Sequence, residues 1–301
     1  MTAISRLAAL ALPALLLLAS VPAAQAESAK AKGPLAIAPQ YQTSIVYLAP
    51  EDFDNFVASL VATFGGTKLS RRMQQVSPTP SRALTQTVLT PVGNFSVRAF
   101  TGAIPYAFGT ERVSFRVTDL DAAVASAKSH GIDIRVTNFP APVGFDALVE
   151  WPGGLQMELQ DSRGQPEYPE LKTLPEFHVY VSAERSEPFV NALKEFADAK
   201  VVSDDRDAAG VDIGRPNEPY RRIRLDSAFG KVTVLATDGQ LPYPYGREVA
   251  GYEVADFDAT LGKAQAAGAT VLVAPYLAGQ RKVAMLQFPG GFVAEIHSSG
   301  K

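Results

Sequence analysis

Cysteine is absent from the 301-residue sequence. Its absence excludes disulfide bonds, thiol catalysis, thiolate metal sites and lipid attachment at a cysteine. Basic tracts are lacking as well, and the formal net charge is −3, which argues against nucleic acid as a partner. Histidine is scarce, with three residues, so that few imidazoles are available for a metal site. Charged residues at 20% and hydrophobic residues at 47% are typical of a globular chain with a full core.

Long apolar runs are confined to the amino terminus. Arg6 precedes an apolar run over residues 7–19, and small residues follow at Ala24 and Ala26. This pattern predicts a signal peptide over residues 1–26, with cleavage after Ala26. We therefore expect an exported protein, periplasmic or secreted, that has no membrane contact after cleavage and is a monomer or homodimer. Residues 27–40 are expected to be an N-terminal linker.

The chain contains a duplication. Shifted by 137 residues, GAIPYAFGTE (102–111) aligns with GQLPYPYGRE (239–248), and WPGG aligns with FPGG. Residues 102–160 and 239–297 agree at 18 of 59 positions without a gap. Residues 45–60 resemble residues 178–193 more weakly, at an offset of 133. Repeats of this kind indicate duplicated structural units.

Four modules result, and each is predicted to fold as β-α-β-β-β. Their spans are 41–101, 110–162, 175–238 and 247–299. We expect the first two modules to form one domain over residues 41–162 and the last two another over residues 175–301. The Pro-rich, charged residues 163–174 are predicted to link them.

Alternation along the strands separates two faces of each module. In FHVYV (177–181), Phe177, Val179 and Val181 are expected under the helices, which leaves His178 and Tyr180 on the opposite face. The opposite face is mostly polar in the other opening and closing strands too. We therefore expect it to line a water-accessible concave surface.

The paired modules resemble the vicinal oxygen chelate superfamily. The resemblance lies in a helix that begins at D-[LF]-D-A and ends in glycine, and in a final strand reading PGG-x-x-x-E-[LI]. The group includes glyoxalases, extradiol dioxygenases, methylmalonyl-CoA epimerases and bleomycin-resistance proteins. The resemblance covers essentially the whole mature chain and implies an α+β fold, with two glyoxalase-like, cup-shaped domains. It also implies that metal ligands come from the opening and closing strands of the modules, but it names no substrate, since one fold hosts many reactions.

In the first half, the four family positions hold Ile45, Arg98, Ser114 and Glu158. Only Glu158 is a residue that binds metals, and Arg98 and Arg116 share its face, where a divalent cation would be repelled. Two interpretations stay open. The arginines bind the carboxylate or phosphate of a small ligand, or they form an internal salt bridge with Glu158.

In the second half, the same positions hold His178, Leu235, Gly251 and Glu295. His178 and Glu295 match the family, whereas Leu235 and Gly251 depart from it. His297 lies two residues beyond Glu295, and Glu253 lies two residues beyond Gly251; either is a candidate third ligand of a divalent Fe, Mn, Zn or Ni ion.

Three functions therefore remain open, one of them a scaffold or partner-binding protein that has kept the fold and lost the site. The favoured hypothesis is an exported binding protein for a small organic metabolite, an anion being one option, with Tyr47, Arg98, Arg116, Glu158 and Tyr180 as ligand contacts. The alternative is a metal-dependent lyase, isomerase or dioxygenase with its metal in the second domain. That enzyme would use Glu295 or Glu253 as a catalytic base. Whether the protein is an enzyme is not decided by its sequence.

Overall fold

A computed structural model describes residues 35–76, 78–141, 144–161 and 168–299. The predicted signal peptide lies outside the described residues, as does part of each predicted linker. The four helices are α1 (Phe53–Phe64), α2 (Leu120–Ser129), α3 (Ala183–Ala197) and α4 (Phe257–Ala266). In the described part of the chain, no helix is both long and apolar enough to cross a membrane.

In the described residues, seventeen strands form two curled sheets, one from each half of the chain. The strands of the first sheet are β1 (Thr43–Leu48), β2 (Thr67–Lys68), β3 (Arg72–Gln75), β4 (Arg82–Thr90), β5 (Gly93–Phe100), β6 (Glu111–Val117), β7 (Asp133–Pro140), β8 (Phe145–Glu150) and β9 (Gln156–Asp161). The strands of the second are β10 (Glu176–Val181), β11 (Lys200–Ala208), β12 (Tyr220–Ser227), β13 (Gly230–Ala236), β14 (Val249–Glu253), β15 (Thr270–Ala278), β16 (Arg281–Gln287) and β17 (Val293–Ser298).

The two sheets have the same strand order. The first runs β2-β4-β5-β1-β6-β9-β8-β7, with β3 paired to β4, and the second runs β11-β12-β13-β10-β14-β17-β16-β15. In each sheet the opening strands of two modules pair antiparallel at the centre, β1 with β6 and β10 with β14. Each opening strand also pairs parallel with the closing strand of its own module. The predicted α+β architecture of four β-α-β-β-β modules in two cups is confirmed.

The helix-covered faces of the two sheets pack against each other. One hydrophobic core joins the second module to the third, where Trp151 lies 5.5 Å from the rings of Phe189 and Phe196. The other core joins the first module to the fourth, where Phe56 contacts Phe288 and Phe292 edge to face. Burial of these faces against one another leaves the concave sides of both sheets pointing away from the shared cores.

The repeated Pro-Gly-Gly turns lie at this junction. Gly153 and Gly290 have positive φ angles of 113° and 81°, which favour glycine. A Cβ atom on Gly153 would lie 2.7 Å from Val181, and one on Gly290 would lie 2.6 Å from Leu48. Each turn therefore packs closely against a strand of the other half, and a side chain at either position would push the halves apart.

The predicted helix boundaries in the duplicated modules are correct. Asp119 accepts a hydrogen bond from the Ala122 backbone N–H at 2.9 Å, and Asp256 accepts one from Ala259 at 3.0 Å. Both helices end just before a glycine of positive φ, at Gly131 and Gly268 in the two copies.

Replacing the cap Asp256 by alanine is expected to lower the free energy of unfolding by about 1 kcal/mol, because an N–H group at the helix end loses its partner. Chemical denaturation measures this difference. Asp258→Ala is the control, since it removes only an exposed ion pair with Lys282 and should cost less than about 0.5 kcal/mol. Equal losses in the two variants would contradict the capping role.

Candidate functional sites

The concave side of the first sheet encloses a cavity of about 110 Å³, called here the first cup. Arg98 on β5 and Arg116 on β6 reach it because alternation places both side chains on the concave face. The cavity is lined by Thr43, Arg72, Gln74, Thr87, Ser96, Arg98, Arg116, Ala141, Asp146, Gln160, Asp161 and Tyr168. Three guanidinium groups thus meet around one small space.

Arg98 and Arg116 form no salt bridge with a carboxylate of the described residues. Arg98 is 8% exposed, and its Nε makes only a long hydrogen bond of 3.4 Å to the Ser96 hydroxyl. Arg116 donates from Nη2 to the Tyr168 hydroxyl at 3.3 Å, while its buried Nε has no hydrogen-bond partner. Two largely buried cations therefore have no salt-bridge partner in the part of the chain that the structure describes.

The carboxylate of Glu158 binds a different arginine from the two expected. Arg112 on β6 approaches Glu158 at 3.7 Å, and Gln160 Nε2 donates to its other oxygen at 3.0 Å. Glu158 is also 1% exposed, so the expectation that this part of the concave face is water-accessible is wrong. An internal ion pair thus forms, but with Arg112, and it leaves Arg98 and Arg116 available for a ligand.

Asp146 on β8 is a site residue that the sequence reasoning missed. It is 6% exposed, lines the first cup and lies beside Glu158. Burial, reinforced by the charge of Glu158, raises its pKa to about 8, so that its carboxyl is protonated at neutral pH. The alternation of polar and apolar residues in FDALVE (145–150) could have identified Asp146. It pairs with Gln160, which lies two residues from Glu158 on β9, so Asp146 and Glu158 share a face.

Tyr47 and Tyr180 lie outside the first cup. Tyr47 is 1% exposed and packs beneath Tyr106, with ring centroids 4.5 Å apart, in a separate hollow of about 400 Å³. Its hydroxyl has no hydrogen-bond partner, and burial raises its pKa. Tyr180 lines an open groove of about 860 Å³ beside α3. The structure thus places Tyr47 beside Arg98, its partner on the neighbouring strand, but outside the cavity, and it does not bring Tyr180 together with Arg98 and Arg116.

The concave side of the second sheet, called here the second cup, holds a buried chain of charges. Arg281 donates two hydrogen bonds to Glu176, at 3.2 and 2.9 Å. His178 lies between two carboxylates, with Nε2 at 3.2 Å from Glu176 and Nδ1 at 3.5 Å from Glu295. Glu295 in turn lies 2.9 Å from His297 Nδ1. Three of the predicted metal-ligand candidates do therefore meet, but they contact one another and Glu176.

Protonation of these groups follows from their pairing. Burial alone would lower the pKa of His178, but Glu295 and Glu176 outweigh it and raise the pKa. Burial would raise the pKa of Glu295, but His178 and His297 hold it below its usual value. The pKa of Glu176 is likewise well below its usual value, because His178 and Arg281 overcome the effect of burial. Below the raised pKa of His178, the cluster is thus an imidazolium between two carboxylates.

These residues do not fit a divalent metal ion. Both ring nitrogens of His178 face carboxylates, and both oxygens of Glu295 face imidazoles. The other two family positions supply no donor, since Leu235 is apolar and Gly251 has no side chain. No group of three or more His, Asp or Glu residues in the described structure has a geometry suited to a metal ion. Arginines line the same cavity, and their charge would repel a cation.

Glu253, the other candidate catalytic base, forms its contacts near the surface. It pairs with Lys231 at 3.5 Å, accepts a hydrogen bond from the Ser299 hydroxyl at 2.7 Å, and does not line the cavity of the second cup. The hydrogen bond from Ser299 lowers the pKa of Glu253. Partial burial opposes this shift, and the charge of Lys231 adds to it. Its charge is thus satisfied near the surface.

No protein-family model and no curated protein sequence matches the chain. Solved structures do match. A mutant of 4-hydroxymandelate synthase from Streptomyces coelicolor has a TM-score of 0.59 and 12% identity, covering 89% of this chain and 94% of that chain. The 2,3-dioxygenase LapB from a Pseudomonas species has a TM-score of 0.52 and 13% identity, covering 89% and 94%. The 2,2',3-trihydroxybiphenyl 1,2-dioxygenase from Sphingomonas wittichii has a TM-score of 0.53 and 12% identity, covering 89% and 91%.

These likenesses confirm the fold expected from the sequence, that of the vicinal oxygen chelate superfamily in two tandem halves. At 12–13% identity they show the fold alone. The residues of the two cups must therefore carry any statement about function.

Proposed function

We propose that the protein binds a small organic anion in the first cup, through Arg98 and Arg116. The observation that carries the proposal is the pair of guanidinium groups that face one cavity with no carboxylate partner among the described residues. A buried cation without a partner is costly. A ligand carboxylate or phosphate would supply the missing charge and accept the hydrogen bonds that these groups have available.

The charge balance of the first cup supports an anion. Arg72, Arg98 and Arg116 line the cavity, against the carboxyl groups of Asp146 and Asp161. Because the pKa of Asp146 is raised to about 8, its carboxyl carries a proton at neutral pH. Three positive groups then face one negative group, and the neutral Asp146 can donate a hydrogen bond to the ligand.

The dimensions of the first cup favour a short ligand. Its volume of about 110 Å³ is well below the roughly 300–1,000 Å³ of pockets that hold drug-sized molecules. We infer a short-chain carboxylic acid or a compact phosphate ester. Because the sequence begins with a signal-peptide pattern, we propose that binding takes place outside the cytoplasm. The activities named for the matched structures are not part of this proposal. Leu235 and Gly251 supply no metal-binding atom at two of the four family positions in the second cup.

A panel of anions tests the proposal. Thermal unfolding is measured with acetate, glycolate, pyruvate, oxalate and inorganic phosphate at constant ionic strength, and the dissociation constant of the best ligand is then measured by calorimetry. Arg98→Gln and Arg116→Gln should each weaken binding at least about tenfold, because a charge-assisted hydrogen bond is lost. Arg82→Gln is the matched control on the exposed side of β4 and should bind as the wild type does.

The proposal fails if no anion of the panel binds at millimolar concentration. It also fails if Arg98→Gln and Arg116→Gln bind with the affinity of the control.

A further inference from the structure

A small cavity of about 30 Å³ lies in the second cup, beside the charged cluster of Glu176, His178 and Glu295. Three arginines, Arg222, Arg224 and Arg281, line it. Arg222 and Arg224 alternate along β12, and Arg281 begins β16. The cavity thus lies where the polar side chains of both modules converge.

Arg222 and Arg281 are matched by carboxylates. Arg222 binds Asp212 closely and lies 3.5 Å from Asp205, and Arg281 forms its two hydrogen bonds to Glu176. Their charges are thus compensated within the protein.

Arg224 has no such partner. It forms no salt bridge within the described structure, and its buried Nε has no hydrogen-bond partner. Burial lowers its pKa, and the neighbouring charges of Arg222 and Arg281 lower it further, while the charges of Glu176 and Asp212 oppose the shift. The cation is therefore held against the repulsion of two others, on the wall of a cavity.

Among the charged groups that line this cavity, one positive charge is in excess, since Asp205, the second carboxylate beside Arg222, does not line it. Asp212 balances Arg222, while Glu176 and Glu295 together balance Arg281 and the imidazolium of His178. The remaining charge belongs to Arg224. In the first sheet the corresponding strand position holds Thr87, since Thr87 pairs with Ser96 as Arg224 pairs with Thr233. An arginine at this strand position is therefore found in the second half alone.

We propose that the second cup binds one small monovalent inorganic anion, such as chloride, on Arg224. The single excess charge on the cavity wall sets the valence, and the cavity of about 30 Å³ exceeds the roughly 10–15 Å³ that one water molecule needs, so that one small ion has room. An anion satisfies the free guanidinium Nε and relieves its repulsion from Arg222 and Arg281. The site thus takes an anion in the cup where the sequence suggested a divalent cation.

Thermal unfolding with increasing sodium chloride, in a buffer otherwise free of halide and held at constant ionic strength with gluconate, tests this proposal. Chloride should raise the melting temperature of the wild type saturably, by about 3–8 °C at a hundredfold excess over its dissociation constant. Arg224→Gln should abolish the rise. Without chloride this variant should be at least as stable as the wild type, because it removes an unmatched buried cation.

Three comparisons make the result specific. Arg206→Gln changes an exposed arginine on the neighbouring strand and should keep the full response. Arg98→Gln should also keep it, which separates this site from the first cup. Divalent Mn, Zn, Ni and Fe ions should leave the wild-type melting temperature unchanged.

An equal chloride response in Arg224→Gln would overturn the proposal. So would a divalent metal that binds the wild type stoichiometrically and is lost in Glu295→Gln.

Discussion

Replacing Glu176 by glutamine is expected to lower the free energy of unfolding by about 3–5 kcal/mol, a large effect for a single substitution. Glu176 accepts two hydrogen bonds from Arg281, one from the Thr233 hydroxyl at 2.6 Å, and contacts His178. Its side chain is buried, so water cannot replace these contacts. The neutral amide would leave Arg281 without its carboxylate and His178 with Glu295 as its remaining anion.

Chemical denaturation of Glu176→Gln and Glu253→Gln provides the comparison. Both residues are acidic and lie in the same sheet, but Glu253 is partly exposed and pairs with Lys231 at 3.5 Å. We expect Glu253→Gln to cost less than about 1 kcal/mol. A loss below 1 kcal/mol in Glu176→Gln as well would contradict the buried charge chain.

The difference between the wild type and Glu176→Gln should depend on pH in a defined way. The pKa of Glu176 is lowered on folding, so its contribution is present above the ordinary value of about 4.3 and lost as the pH falls. The pKa of His178 is raised, so its contribution is complete below about 6.5 and lost as the pH rises through the folded value. The difference should therefore be largest between about pH 4.5 and 6.5.

Replacing Asp146 by asparagine is expected to stabilise the protein at pH 9, by about 3–5 kcal/mol. Burial and the neighbouring charge of Glu158 raise the pKa of Asp146 to about 8, while Arg98 and Arg116 oppose the shift. The protonated carboxyl of Asp146 contributes its full stability to the folded state below about pH 3.9. This contribution is lost as the pH rises to about 8. Above that pH the wild type must bury two carboxylates side by side, whereas asparagine stays neutral.

Denaturation at pH 4, 7 and 9 measures this second effect. Asp146→Asn should match the wild type at pH 4 and exceed it increasingly at pH 7 and 9. Asp133→Asn, on an exposed position of β7, should follow the wild type at each pH. A constant difference between Asp146→Asn and the wild type would show that Asp146 does not hold its proton in the folded state.

Much of the fold could be predicted from the sequence because its signals are local or periodic. The duplication, the caps at Asp119 and Asp256 and the opposed faces of FHVYV each depend on residues close together along the chain. The pairing of the second module with the third across the shared core could not be predicted. Side-chain alternation says which face is apolar but not which other surface covers it.

The sites could be predicted only in part for the same reason. Alternation correctly placed Arg98, Arg116 and Glu158 on one face, but it gave no distances, so the partnership of Glu158 with Arg112 was missed. Asp146 was overlooked because the family positions lie on opening and closing strands, and β8 is neither. In the second half, His178, Glu295 and His297 were grouped correctly. Glu176 could have been added by the same alternation, since it lies two residues before His178 on β10, whereas Arg281's part in the cluster depends on strand register.

Crystallography of the wild type soaked in 3-bromopropionate tests the central claim most directly, since the bromine atom marks the ligand by anomalous scattering. The account predicts an anomalous peak in the first cup, with the carboxylate within hydrogen-bond distance of Arg98 and Arg116, and no peak there in Arg98→Gln crystals. An empty first cup in fully soaked wild-type crystals, or a peak that persists unchanged in Arg98→Gln, would contradict it.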